Sequence, residues 1–283
     1  MLVTGLLFVG VTGVVRHLGT DMNPIQAAFI RYAFGIVLIA PLLLRMVASG
    51  KKPSRIGLHL LRGVAHGTAV MLWFFAMARI PIAQVTAIGF TAPIFTTIGA
   101  AIYLGEVLHA RRIAAVLVSF VGTLIILRPG AVEIELGALA QLAAAPLFAC
   151  SFLIAKKLTE TESSASIVAY MSVFVTLALL PAALLVWRAP TLTELAWLFV
   201  TAVLATAGHY TLTLAMQAVE LTVLQPFSFL QLVWAALLGF YVFSEVPDIW
   251  TLFGGAVIVA SVTYIAHREA RATGERPRRN PND

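Results

Sequence analysis

Ten apolar runs of about 20 residues, separated by short charged or turn-forming segments, constrain this chain more than any other feature. They lie at about 2–19, 24–46, 56–78, 82–104, 111–127, 136–155, 165–187, 193–216, 222–244 and 248–267, with ends uncertain by about 2–4 residues. As a helix, such a run crosses about 30 Å of hydrocarbon. The runs are too long for barrel strands and do not alternate apolar with polar. A lone helix satisfies its own backbone in lipid, which an open strand cannot do. The expectation is an all-α polytopic membrane protein with ten transmembrane helices. Composition agrees: 60% of the 283 residues are hydrophobic and 11% are charged. Soluble domains carry about 25% charge, so polar surface is too scarce here to coat a soluble globule.

Charge placement sets the expected orientation. With both termini cytoplasmic, the inner loops hold Arg45, Lys51, Lys52, Arg55, Arg111, Arg112, Lys156 and Lys157. The tail adds Arg268, Arg271, Arg276, Arg278 and Arg279. The outer loops hold only Arg16, Arg79, Arg128 and Arg188. Cations favour the cytoplasmic side, so this arrangement predicts an even number of spans with both ends inside.

The first run is short. Met1 to Val15 gives about 22 Å of helix, and continuing through Arg16 and His17 to Gly19 nearly spans the hydrocarbon. Two expectations stand side by side: a short first helix with Arg16 snorkelling outward, or a chain whose natural start lies upstream. A cleaved signal peptide fits poorly, since no positive charge precedes the run and no A-x-A site follows it. Residues 268–283 read as a basic, disordered cytoplasmic tail.

Several classes fall away. The net charge of +6 sits in loops and tail, so no nucleic-acid partner is expected. Cys150 is the single cysteine, so no intrachain disulfide can form. Gly50-Lys51-Lys52 lacks the Ser or Thr and the upstream glycine of a phosphate-binding loop, which argues against an internal ATPase. No cofactor and no metal site are expected.

The chain repeats itself faintly. At an offset of 139, Ala76-Met77 falls on Ala215-Met216, Phe90 on Phe229 and Glu106-Val107 on Glu245-Val246. At 140, Pro41 falls on Pro181 and Leu18 on Leu158. Two halves of five spans must have opposite orientations, which gives two inverted five-helix repeats. The rival explanation is chance agreement between apolar helices.

At these landmarks the chain resembles the EamA-type members of the drug/metabolite transporter superfamily. The resemblance rests on Arg31-Tyr32-Ala33-Phe34, on Ile88 to Glu106, and on Gln225 to Glu245 followed by Trp250 to Gly254. It covers nearly the whole chain as two modules, 1–130 and 131–267. It implies ten helices, a central cavity and alternating access, without choosing a substrate. The short first span is the main departure from the pattern and bears on one cavity wall.

Ionisable and polar residues inside spans should have a use. Arg62 and His66 stand at i, i+4 in the third span, with Trp73 further along that face. His66 reads either as a substrate or proton site or as a helix–helix hydrogen bonder, and Arg62 either joins it or snorkels to the cytoplasm. Gly63 and Gly67 form a small-xxx-small pair suited to close packing. In the eighth span Thr206, His209/Tyr210, Thr213 and Gln217 form a polar stripe. The ninth adds Gln225, Ser228 and Gln231, with Pro226 freeing backbone carbonyls. The fourth contributes Thr86, Phe90, Pro93 and Thr97, with Gln84 at its start. Trp73, Trp234, Tyr210 and Phe227 read as walls for an organic solute. Trp187, Trp197 and Trp250 read as an interfacial belt. The cavity candidates are thus His66, Trp73, Phe90, His209, Tyr210, Gln225, Ser228, Gln231 and Trp234.

Glu106 and Glu245 close their spans where a carboxylate opposes the helix dipole, so each needs a partner; Arg111 or Arg112 could serve Glu106. Arg31 anchors to headgroups, pairs with a polar neighbour or meets a substrate carboxylate. No intramembrane Asp or Glu stands out as a proton carrier, so exchange, facilitated diffusion and His-linked coupling all stay open.

The leading expectation is a secondary transporter in the cell inner membrane, moving a small organic metabolite by alternating access. An amino acid or derivative, an S-adenosylmethionine-like compound, a vitamin or a drug would fit. Small-molecule substrate and lipid bilayer are the expected partners, and a homodimer is compatible. A lipid-modifying enzyme would need clustered acids, a metal set or a nucleophile–base pair, and only His17-x-x-x-Asp21 comes near. A channel or scaffold lacks a repeated pore loop or charge ring.

Overall fold

In a computed structural model, the structure describes residues 1–19, 21–50, 53–104, 110–128, 134–218, 224 and 230–274. Within them lie α1 (Leu2–Leu18), α2 (Pro24–Ala48), α3 (Ile56–Met77), α4 (Ile82–Gly89), α5 (Ala92–Leu104) and α6 (Ala110–Leu127). They are followed by α7 (Leu136–Leu158), α8 (Ser164–Leu185), α9 (Leu192–Ala218), α10 (Leu230–Phe243) and α11 (Ile249–Gly274). No strand occurs among the described residues.

Local signals fix several ends. Asn23 caps α2, its side chain accepting from Ile25 N at 3.0 Å, with Pro24 preset at the first helical position. Ser163 caps α8 by accepting from Ser166 N at 3.2 Å. Gly19 ends α1 at φ 61°, a conformation that side chains resist. Among the described residues, six segments are long and apolar enough to cross a membrane: α2, α3, the stretch Ile82–Leu104, α7, α8 and α9. Leu2–Leu18, Trp234–Phe243 and Ile249–Ser261 are apolar but shorter. Large apolar side chains such as Val37, Leu44, Ile102, Leu185 and Tyr241 stand exposed, as lipid-facing surfaces require.

Two elements differ from expectation. The run 82–104 is not one helix but two, broken at Phe90-Thr91. Pro93 has no N–H to return to the carbonyl four residues back, and Gly89 gives up helix cheaply. Thr91 Oγ1 donates to Ile88 O at 2.8 Å, and Thr91 N does so at 3.0 Å, so the break is tightly closed. At the other end, α11 continues to Gly274, beyond the point where the tail was expected to begin.

The helices interlock in pairs. α3 packs on α7 and α8, α1 on α9, α2 on α8 and α9, α5 on α7, and α6 on α11. The α3–α8 crossing has a visible cause. A Cβ at Gly63 would stand 2.6 Å from Phe174 Cβ and 2.8 Å from its carbonyl carbon, so the two backbones touch there. One turn on, Gly67 faces Val175 and Leu179 at 3.4 Å. The small pair therefore sets helix approach. The buried core runs through Tyr32, Met77, Ile82, Ile88 and Leu198, alongside a central cavity.

Candidate functional site: a central cavity

A cavity of about 250 Å³ lies between α1, α2, α3, α4, α5, α7, α9 and α10. Its walls include six large aromatic residues: Phe8, Trp73, Phe74, Phe90, Phe148 and Phe152. Set into them are Thr4, Thr12, Arg31, Tyr32, His66, Thr86, Thr96, Gln141, His209 and Gln231. The α4–α5 break lies on this wall, with Gly89, Phe90 and Pro93 all lining it.

His66 is held from behind. Its Nδ1 lies 2.9 Å from Ser151 Oγ, which accepts from Arg62 Nε at 3.4 Å. Arg62 Nη1 in turn donates to Ile167 O at 3.2 Å. With Ser151 Oγ accepting from Arg62, its own proton is free for Nδ1, and a neutral ring then carries its hydrogen on Nε2. The His66 ring meets His209 at 5.1 Å, Phe148 at 5.4 Å and Tyr32 at 6.1 Å, all edge-on. Phe8 packs edge-on against His209 at 5.1 Å. The Arg31 guanidinium carbon lies 3.8 Å from the centre of the Tyr32 ring.

Among the described residues, five polar atoms of the lining are buried without a hydrogen-bond partner: Arg31 Nη1, Tyr32 Oη, His66 Nε2, Thr96 Oγ1 and Gln141 Oε1. Each such atom costs about 1–3 kcal/mol unless something in the cavity satisfies it. Their convergence on one aromatic-walled space is the arrangement of a small-molecule site.

Of the sequence candidates, His66, Trp73, Phe90, His209 and Gln231 line the cavity. Tyr210 and Trp234, expected as walls, do not. Tyr210 is 42% exposed and shares an outward face with Val203 and Leu214, one helical step around from His209. Trp234 is 42% exposed beside Leu237 and Tyr241. A helix places adjacent residues about 100° apart, so only one of His209 and Tyr210 can face inward. Gln225, Ser228, Pro226 and Phe227 lie outside the described residues, as does Glu106; the side chains of Thr97, Arg111 and Arg112 are likewise outside the description. Thr86 and Pro93 reach the cavity, whereas Gln84 lines a separate surface cleft near Arg128 and Asp248. Thr213 is buried but spends its hydroxyl on His209 O at 2.7 Å. Arg62 does not snorkel: it is 2% exposed and braces Ser151. Trp187, Trp197 and Trp250 are each more than a third exposed.

Sequence reasoning missed Phe8, Phe148 and Gln141, and noted Tyr32 only within a motif. Gln141 alone carried a signal, a polar residue inside an apolar run. It also missed the partners of Glu245. Its Oε1 pairs with Arg16 Nη2 at 2.6 Å, and its Oε2 accepts from Ile82 N at 2.8 Å. The carboxylate that opposes its own helix dipole thus serves the N-terminus of α4, where negative charge is favoured. Arg16, expected to snorkel, also donates to Met77 O at 2.9 Å. This cluster ties α1, α3, α4 and the chain after α10 together at one end of the bundle.

A second cluster joins the opposite ends of α3, α7 and α9. Lys156 Nζ donates to Met216 O at 2.7 Å, and Gln217 Nε2 to Glu162 O at 3.1 Å. His59 Nε2 lies 3.0 Å from both Glu162 carboxylate oxygens, a buried pair that the sequence reading did not single out.

The EamA-like transporter family pattern matches the chain twice, over residues 1–128 and 135–266. The chain belongs to the EamA-like transporter family. It is 31% identical to an S-adenosylmethionine uptake transporter of Rickettsia bellii, over 92% of this chain and 90% of that protein. It is also 31% identical to a riboflavin transporter of Vibrio cholerae, over 96% and 93%. A pseudopaline exporter of Pseudomonas aeruginosa is 27% identical, over 87% of each chain. A solved crystal structure shares the fold with a TM-score of 0.65 at 20% identity, covering 94% of this chain and 98% of the other. The EamA-like chain is a multi-pass membrane protein and a secondary transporter of small metabolites. These three relatives are named as transporters.

Proposed function

We propose that this protein carries a compact heteroaromatic metabolite across the cell inner membrane by alternating access, without catalysing a reaction. The observation that carries this reading is the central cavity, with six large aromatic side chains in its walls and five buried polar atoms without a hydrogen-bond partner among the described residues. At about 250 Å³ it lies just below the range of about 300–1,000 Å³ usual for small-molecule sites, which suits one metabolite and not a lipid or a polymer. S-adenosylmethionine and riboflavin, named for two relatives, both combine a flat heteroaromatic ring with a polar chain.

The proposed topology is ten spans in two inverted repeats, residues 1–130 and 131–267, with both termini cytoplasmic and 268–283 as a basic tail. Two features support it. Helix contacts occur in exchangeable pairs: α1 with α9 and α7 with α3, α2 with α9 and α8 with α3. The end clusters correspond as well. Arg16 donates to Met77 O, and at offsets of 140 and 139 Lys156 donates to Met216 O. In this topology the Arg16–Glu245 cluster closes the outer end of the cavity and the Lys156–Glu162 region the inner end. Rocking of the repeats would release one cluster at a time.

The test is uptake of radiolabelled S-adenosylmethionine and riboflavin into proteoliposomes. One of them should accumulate saturably, and Trp73→Ala should depress that uptake without lowering the amount of folded protein. Equal uptake by empty liposomes, or full activity in Trp73→Ala, would refute the assignment of the cavity.

A further inference from the structure

The cavity holds a cation without a counter-ion. Arg31 is 5% exposed, and no carboxylate among the described residues pairs with it. Its Nη1 has no acceptor, and the guanidinium rests on the Tyr32 ring. The Tyr32 hydroxyl is also buried, with the residue 1% exposed, and makes no hydrogen bond of good geometry, Arg31 lying beside it. His66, 1% exposed, presents an unpartnered Nε2 from a ring standing edge-on to the same tyrosine. Three unsatisfied groups, each able to donate, therefore surround one aromatic ring. The described lining contains no Asp or Glu.

A buried guanidinium is tolerated when an anion or several acceptors meet it. Stacking on Tyr32 compensates part of its lost hydration, but it leaves the in-plane N–H groups unused. A neutral carbonyl would occupy one donor. A carboxylate offers two oxygens with about four lone-pair sites, enough for Arg31 and Tyr32 together and for a third bond from His66. On another wall, Gln141 Oε1 is an unused acceptor. Gln141 stands at α4, where its Nε2 would lie only 2.8 Å from a Cβ added at Gly89. The two walls thus present opposite polarity: donors on α2 and α3, an acceptor on α7.

We infer that Arg31, Tyr32 and His66 form an anion subsite that selects substrates bearing a carboxylate, the ring of the same solute lying among the aromatic walls. This rests on the transporter reading above and narrows its substrate class to heteroaromatic monocarboxylates. Gln141 then receives an amino or ring N–H group at the far end of the solute.

The experiment compares matched probes by thermal stabilisation of the purified full-length protein in detergent. The pairs are S-adenosylmethionine with 5′-methylthioadenosine, nicotinate with nicotinamide, and indole-3-acetate with indole-3-acetamide; riboflavin serves as an uncharged reference. In at least one pair the carboxylate member should stabilise saturably, at a concentration about 30-fold below that of its neutral partner. Arg31→Gln should erase that preference, the carboxylate member losing far more than its neutral partner, whose carbonyl occupies one donor at most. Tyr32→Phe, which keeps the ring under the guanidinium, should weaken the carboxylate probe about tenfold. Arg31→Lys retains charge without the forked geometry and should recover part of the loss. Equal stabilisation within every pair, or an unchanged preference in both Arg31→Gln and Tyr32→Phe, would overturn the inference. Stabilisation by riboflavin alone would overturn it and leave the transporter reading standing. Stabilisation by no probe would overturn both.

Discussion

Removing one charge at the proposed outer closure should open the cavity without unfolding the protein. Glu245→Gln leaves a side-chain oxygen for Ile82 N–H but deletes the ion pair with Arg16, 2.6 Å long, whose side chains are 23% and 13% exposed. A fully exposed pair would contribute about 0–1 kcal/mol, and the lower effective dielectric around a part-buried pair strengthens it. The partial burial places this one near about 2 kcal/mol, and the closed state would lose about 30-fold in population relative to the open one. Arg16 keeps its bond to Met77 O, so the helix ends stay attached to that extent. The readout is mixed-disulfide formation at Thr86→Cys on the cavity wall, in a Cys150→Ser background, by a membrane-impermeant thiosulfonate added from outside, with sulfinate as the leaving group. Labelling should accelerate by about tenfold or more. Arg16→Gln should act in the same direction and more strongly, since it also loses the bond to Met77 O, and the double variant should add little to it, because both changes break the same ion pair. Unchanged labelling in both single variants, or fully additive effects, would refute the idea that this pair holds the outer end shut.

Four further outcomes follow from named contacts. Ser151→Ala removes the hydroxyl that fixes His66 Nδ1, at about 1 kcal/mol, so substrate affinity should fall several-fold in proteoliposome uptake with maximal rate less affected. Trp73→Ala should weaken uptake by an order of magnitude, whereas Tyr210→Ala and Trp234→Ala, on outward faces, should transport like the parent protein; inhibition by either outward variant would contradict the placement. Gly63→Ala drives a Cβ to 2.6 Å from Phe174 Cβ and should cost about 1–3 kcal/mol, seen as a lower melting temperature, while Gly57→Ala meets nothing within 4 Å and should be neutral. Gly89→Ala should leave stability nearly intact, because Gln141 Nε2 is the end of a flexible chain, yet change substrate selectivity by displacing that amide.

Apolar runs and turn residues are local quantities, and most of the helices were legible from them. The expected starts of α1 to α4 and of α7 agree with the structure to the residue, since caps, prolines and charges mark a helix end within one turn. The break between α4 and α5 was written in Gly89 and Pro93 but read as continuous, because a proline inside a membrane helix often only bends it. The inward residues were harder. Periodicity gives a face, but which face meets the bundle depends on neighbours far along the chain, and that is why His209 turned inward and Tyr210 outward. Phe8 and Phe148 are ordinary aromatics in apolar runs, and nothing local distinguishes them from lipid-facing ones. The partner of Glu245 lies 229 residues away at Arg16, and the meeting point of Arg31, Tyr32 and His66 joins two helices with a third behind them at Ser151. The sequence by itself determined that helices would form and what they could bury, through hydrogen bonds and apolar surface counted within each segment. Tertiary structure decided which polar atoms would be left unpaired around one cavity, because that depends on where separate helices stop one another.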